Sequence, residues 1–257
     1  MDGINVEELK EYLEHYDNLK KDDRLFVKVC NTDRSSDMLE AVPHKKISDD
    51  LAITFHVLIK EGNADDEFYM QSVNVTNGLF QHWEKEYGLT LDDVCKDALE
   101  SAQKSQPVTV QEIEGVLAAM MGVSPDEIEK TNLFVVSNSN KINGAAALFY
   151  PDSFEIISER LGGSFFCIPS SKHEFLVIND SIMKEHGFSV ISDISKMINE
   201  VNQSEVSPED YLSDTLYHYD SEAKIFESAV SYHNRVEKPE ISKDEDFAEK
   251  EIKSDAR

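Results

Sequence analysis

The sequence predicts an α+β fold with antiparallel sheets, a helical middle segment and strand, strand, helix repeats in the C-terminal half. Three observations carry this reading. Hydrophobic residues alternate at a period of two in several short runs before Asn77, change to a period near 3.6 between Asn77 and Met121, and then alternate again in runs separated by helical stretches. A chain of 257 residues, 40% hydrophobic and 9% aromatic, carries enough apolar material to bury a full core.

Val6, Leu9, Leu13 and Tyr16 recur at helical spacing among acids and lysines, so the first twenty residues read as one amphipathic helix. Arg24 to Asn31 and Leu51 to Lys60 are β-rich runs separated by a polar stretch holding Pro43, and Phe68 to Val75 continues the pattern as a small antiparallel sheet. Three short helices follow, marked by Leu79, Phe80 and Trp83, then by Leu91, Val94, Ala98 and Leu99, then by Val110, Ile113, Val116, Leu117 and Met120. Trp83, Met120 and Met121 fall on apolar stripes and read as core. Thr90 ahead of Asp92 and Asp93, and Ser124 ahead of Pro125, Asp126 and Glu127, are helix-start signals, because a hydroxyl caps free N–H groups and early acids suit the helix dipole.

In the remainder, Leu133 to Ser137 and Ala145 to Tyr150 read as strands joined by a turn at Asn143-Gly144. A helix from Asp152 to Leu161 stops at Gly162-Gly163. Ser164 to Ile168 and Phe175 to Ile178 read as strands, Val190 to Val201 as a helix, and Leu216 to Tyr219 with Lys224 to Phe226 as a last hairpin. Beyond Tyr232 the chain is dense in Glu, Lys and Asp and reads as a mobile tail. The expected organisation is an N-terminal α+β region over 1–123, a C-terminal α+β region over 124–231, separate or continuous with the first, and a charged tail over 232–257.

The 25 basic and 51 acidic side chains give a formal charge of −26, which repels nucleic acid phosphates and anionic membranes. Basic protein surfaces, divalent cations, and nucleic-acid-binding proteins that take an acidic surface for a phosphate backbone remain as partner classes, beside plain solubility. Cys30, Cys95 and Cys167 are far apart and odd in number, which fits a reducing compartment with each cysteine a small buried hydrophobe. Acids at the N-terminus and the lack of a long apolar run predict a cytoplasmic protein without a membrane segment. No cofactor motif is present, and none is expected to bind.

Two polar stretches hold the candidate chemistry. Ser137 to Gly144 offers Asn138, Asn140, Lys141 and Asn143 between apolar runs, a loop that could bind an anion or a polar ligand, or simply satisfy turn backbone. Pro169 to Glu174 places Ser170, Ser171, His173 and Glu174 within six positions, the nucleophile, base and acid of a hydrolytic site if space brings them together, and otherwise a polar turn. His218 and Asp220 share a strand face and, with His173, form a possible metal set, the alternative being hydrogen-bonded structural residues. His44 and His56 extend the candidates without a partner in sequence.

Four phrases carry a family resemblance: Val42-Pro43-His44 followed by Asp50-Leu51-Ala52-Ile53, the Ser137 to Tyr150 run, Ile168 to Glu174, and Leu212 to Asp220. In wording and order they resemble the bacterial proteins grouped as domain of unknown function 5688, over about residues 40 to 230. The resemblance implies no activity. Lys172 stands where the family phrase has an apolar residue, which argues against an essential lysine there, and the acidic tail falls outside the resemblance. With no coherent catalytic motif, the expectation is an accessory or regulatory protein that binds a protein partner. The rivals are a hydrolase-like or metal-dependent enzyme on the 169–174 turn, and an acidic nucleic-acid mimic.

Overall fold

Alternation at a period of two builds two antiparallel sheets. The computed structural model describes residues 6–64 and 67–237, without the side chains of 61–64, 67–69, 184 and 185. The opening helix comes as two, α1 (Val6–Glu14) and α2 (Tyr16–Lys21). A continuous helix would need the Leu13 and Glu14 carbonyls, but Trp83 Nε1–H donates to the first at 3.0 Å and the Tyr87 hydroxyl to the second at 3.2 Å. The break at His15 is therefore imposed by packing on the later helices.

The first sheet contains β1 (Leu25–Asn31), β2 (His44–Lys46), β3 (Leu51–Ala64) and β4 (Glu67–Asn74), with β1 along one side of β3 and β2 and β4 along the other. Between β1 and β2 the polar stretch folds into α3 (Ser36–Ala41), which buries Leu39 against Ala52. Neither α3 nor β2 is long enough to show a period in sequence. Next come α4 (Asn77–Tyr87) and α5 (Leu91–Ser105), the second opened by the expected Thr90 signal, a capping box with Asp93.

The expected third helix is a strand and a helix, β5 (Val108–Glu112) and α6 (Ile113–Met121). Val108, Thr109 and Val110 are β-branched and follow Pro107, so this stretch takes extended backbone and pairs with β6 (Leu133–Asn138). Ser124 opens only a 3-10 turn, Pro125–Glu127. The expected strand over Ala145 to Tyr150 is a 3-10 helix, Gly144–Phe149, wedged between β1 and the strands β6 and β8 (Glu174–Asn179). Ala145, Ala146 and Ala147 are all buried, so no period of two could mark one face.

The chain then forms α7 (Ser153–Leu161), β7 (Phe165–Ser171), the β8 strand, α8 (Ile182–His186), α9 (Ser189–Ser204), β9 (Tyr217–Asp220), β10 (Ile225–Ser228) and α10 (Ala229–Glu237). The second sheet runs β10-β9-β7-β8-β6-β5, every pair antiparallel. Its edge strand β5 precedes Ser124, and one hydrophobic core runs from Leu25, Phe55 and Trp83 to Val136, Phe165 and Tyr217. A second cluster, with Phe166, Ile191 and Ile198, fills the space between the outer face of this sheet and α9.

The fold corrects two further expectations. Residues 232–237, read as the start of the tail, belong to α10, which Arg235 pins to Asp220 at 2.8 Å and to Glu227 at 2.7 Å; the rest of the expected tail, 238–257, lies outside the described residues. Trp83 is fully buried as expected, but Met120 is 80% exposed and Met121 65%. Cys95 and Cys167 are buried, and Cys30 is half-buried. Among the described residues, no helix is long and apolar enough to cross a membrane.

Candidate functional site

The 137–144 loop and the 169–174 turn meet in space. Ser137 Oγ–H donates to the His173 carbonyl at 2.8 Å, the Asn143 N–H to His173 Nδ1 at 3.1 Å, and the Ala145 N–H to the Lys172 carbonyl at 3.2 Å. A third segment, which the sequence did not single out, closes the cluster. Lys172 Nζ lies 2.9 Å from Asp210 Oδ1, and His173 Nε2 lies 3.2 Å from the same oxygen. The Lys172 ammonium outweighs the cost of burial and holds the Asp210 carboxyl below its ordinary range.

This geometry fixes what His173 does. Because Nδ1 accepts the Asn143 N–H, the ring hydrogen of the neutral imidazole sits on Nε2 and is donated to Asp210. Both ring nitrogens are thereby engaged, and neither meets a serine. Ser170 Oγ–H donates to Glu174 Oε1 at 3.3 Å, while Ser171 Oγ accepts the His173 N–H at 3.1 Å and so serves as a turn cap. A nucleophilic relay needs the hydroxyl on the imidazole; here Ser170 is bonded to Glu174 and Ser171 to the His173 backbone, and neither hydroxyl meets the ring.

The loop candidates divide in the same way. Asn138 is fully buried, donating to Gln106 Oε1 and to the Ile142 carbonyl, each at 2.9 Å, and accepting the Asn140 N–H at 3.1 Å. It organises the loop from beneath. Lys141 and Asn143 take left-handed backbone, at φ 57° and 52°, and the exposed Lys141 lines a groove beside α6.

The metal set is not assembled. His218 pairs with Phe166 at the opposite end of β7 from the 171–174 turn, a span of roughly 17 Å at about 3.3 Å per residue, so His173 and His218 cannot approach one ion. His218 is buried, stacked 3.5 Å from the Tyr232 ring, with Nε2 3.2 Å from Asp180 Oδ2. Asp220 is occupied by Arg235 and by the Glu222 and Ala223 N–H groups. Among the described residues, no group of three or more His, Cys, Asp or Glu is placed to hold a metal ion.

The other two family-like phrases meet at Asp50. Its carboxylate accepts the hydroxyls of Ser48 at 3.0 Å, Ser213 at 2.5 Å, Thr215 at 3.0 Å and Tyr217. Burial pushes this carboxyl up, but the four donors outweigh it and hold the group below its ordinary range, while burial and the Asp50 bond push the Tyr217 phenol well up. The cluster ties the entrance of β3 to the entrance of β9 and so joins the two sheets. Asp50→Ala, which removes the acceptor that four hydroxyls share, is expected to cost about 2–4 kcal/mol in urea unfolding, and Asp50→Asn less. A loss under about 0.5 kcal/mol would mean that water replaces the carboxylate.

His44 and His56 share with Thr54 the face of the first sheet that carries Ala52. His44 lies opposite Thr54, whose hydroxyl meets His56 Nε2 at 2.9 Å. Burial, and then the nearby Lys28 charge, push the His56 imidazole down to about 3, so it is held neutral.

The loop and the turn border a large open concavity, to which they contribute Ser137, Lys141 and Glu174. A groove of about 850 Å³ runs between α6 and the outer face of β5 and β6, lined by Gln111, Val116, Met120, Val135, Ser137 and Glu174. The roll of α6 is set by Glu114, a buried carboxylate that accepts the Thr131 N–H at 2.5 Å and the Thr131 hydroxyl at 3.0 Å. Glu114 and Ala118, one turn apart, face the body, which leaves Leu117, Met120 and Met121, with Val123 just beyond, exposed. Sequence periodicity could not find this surface, because an exposed apolar stripe and a core stripe have the same spacing.

The chain belongs to a family of unknown function, DUF5688, whose sequence model matches residues 4–221. No curated protein and no solved structure matches it.

Proposed function

Taking membership of this family as the premise, we propose that the chain is a non-enzymatic accessory protein that binds a protein partner through the α6 face and its groove. One observation carries the reading: four apolar side chains, two of them methionines, stand exposed together beside a concavity large enough to receive a partner's side chains. Methionine suits such a surface, since its unbranched, polarisable side chain adapts to a partner's shape. The full commitment of His173 to Asn143 and Asp210 supports a structural role for the most catalytic-looking turn.

A photo-crosslinking residue at position 120 is expected to capture a discrete protein in cells that produce the full chain. The adduct should disappear when Met121→Asp is added. Crosslinks no different from those made at the exposed α9 position Glu200 would sink the proposal.

A further inference from the structure

Among the described residues, β5 pairs with β6 alone and forms one edge of the second sheet. The Ser139 N–H donates to the Pro107 carbonyl at 2.9 Å, which makes 107 and 139 a hydrogen-bonded pair in the register that sets Val108 against Asn138. Hydrogen-bonded and non-bonded pairs alternate in an antiparallel ladder. Thr109 and Gln111 therefore turn their backbone groups toward β6, and Val108, Val110 and Glu112 turn theirs outward. Sheet edges are ordinarily blunted by lysine, proline or a bulge. The stretch Val108 to Glu112 has none of these.

Hollows flank this edge on both faces. The groove of about 850 Å³ takes in Gln111 and Val135 on the outer face. A second hollow, of about 530 Å³, is lined on the inner face by Val108, Val110, Ile156, Glu159 and Arg160. A strand laid beside β5 would send alternate side chains into the two hollows, whereas a helix could fill only one.

We propose, building on the protein-binding reading above, that β5 accepts an extended segment of the partner as a seventh strand, with apolar side chains in the hollows and lysine or arginine along its flanks. The basic character follows from charge. Glu112, Glu159 and Glu174 outnumber Arg160 and Lys141 around the edge, on a chain of formal charge −26. The same charge opposes pairing with a second copy.

Glu112 supplies the test. Its φ of −61° already fits proline, and its N–H points outward, so Glu112→Pro deletes an edge donor without breaking the β5–β6 ladder. Glu112→Gln keeps the donor and removes the charge. Short random peptides displayed on phage and selected on the full chain are expected to be rich in Lys, Arg and β-branched residues. Their binding should slow amide exchange at Val108, Val110 and Glu112 in the unaltered protein, a readout that needs no variant. Glu112→Pro should weaken binding by about tenfold and Glu112→Gln by less than about threefold. Peptides that ignore Glu112→Pro and leave those three amides unprotected, but are lost with Met120→Asp, overturn strand addition and leave the α6 reading standing. Failure to select any peptide counts against both, and a wild-type dimer abolished by Glu112→Pro gives the edge to a second copy and overturns the peptide.

Discussion

Gly144→Ala is expected to lose about 3 kcal/mol or more of stability, with the midpoint of urea unfolding shifted down and the slope unchanged. A Cβ at this position would lie 2.1 Å from Ser137 Oγ, 2.6 Å from the His173 carbonyl oxygen and 2.8 Å from the Asn138 nitrogen. Two of those atoms are backbone. The hydroxyl is itself bonded to the His173 carbonyl, so it cannot swing aside without leaving that oxygen short of a donor. Relief requires the 137–144 loop to separate from the 171–174 turn, which would break the Asn143 to His173 and Ala145 to Lys172 bonds as well. Gly115→Ala is the matched control. It sits in α6 with nothing within 4 Å of the added carbon, and there the change should be neutral or stabilise by about 0.5–1 kcal/mol. A Gly144→Ala loss below about 1 kcal/mol would mean that the junction of loop and turn is soft.

That junction also shows what the sequence made legible. Both polar stretches were visible, because Asn, Ser and Lys between apolar runs stand out in composition. What they touch was not. His173 is positioned by an N–H thirty residues away and by Asp210, in a segment with no signal of its own. Asn143-Gly144 reads as a hairpin turn by residue type, yet Gly144 is required by the close approach of His173 rather than by a turn. β8, which alternates on a half-buried face, and β3, a β-rich run buried on both faces from Leu51 to Leu58, were legible, whereas β5 was absorbed into a helical period and the Ala145 to Leu148 stretch, buried on every side, has no face to reveal. Asp50 shows the limit most plainly. Its partners Ser213, Thr215 and Tyr217 lie more than 160 residues away, and no local pattern marks a carboxylate that will collect four hydroxyls.

Burial of His56 carries the largest expected pH effect. The His56 imidazole is pushed down to about 3 from an ordinary 6.5, by burial first and the Lys28 charge second. Between those two values the unfolded chain binds a proton at this histidine and the folded chain does not, so stability must fall as the pH drops below 6.5. From pH 7 to pH 5 this one group should remove about 2 kcal/mol. The carboxyls held low by their partners, Asp50 among them, act in the same direction but only near and below their ordinary value of 3.8. The two contributions therefore separate on the pH axis. His56→Gln can still bond the Thr54 hydroxyl but has no proton to gain, and its stability should be nearly flat over the window where the wild type declines. Urea unfolding of both proteins at pH 7, 6 and 5 is the measurement. Parallel curves would mean that the imidazole reaches water before the fold gives way; a gap that narrows by about 2 kcal/mol toward pH 5 means that the face carrying Thr54 and His56 stays shut until the whole sheet unfolds.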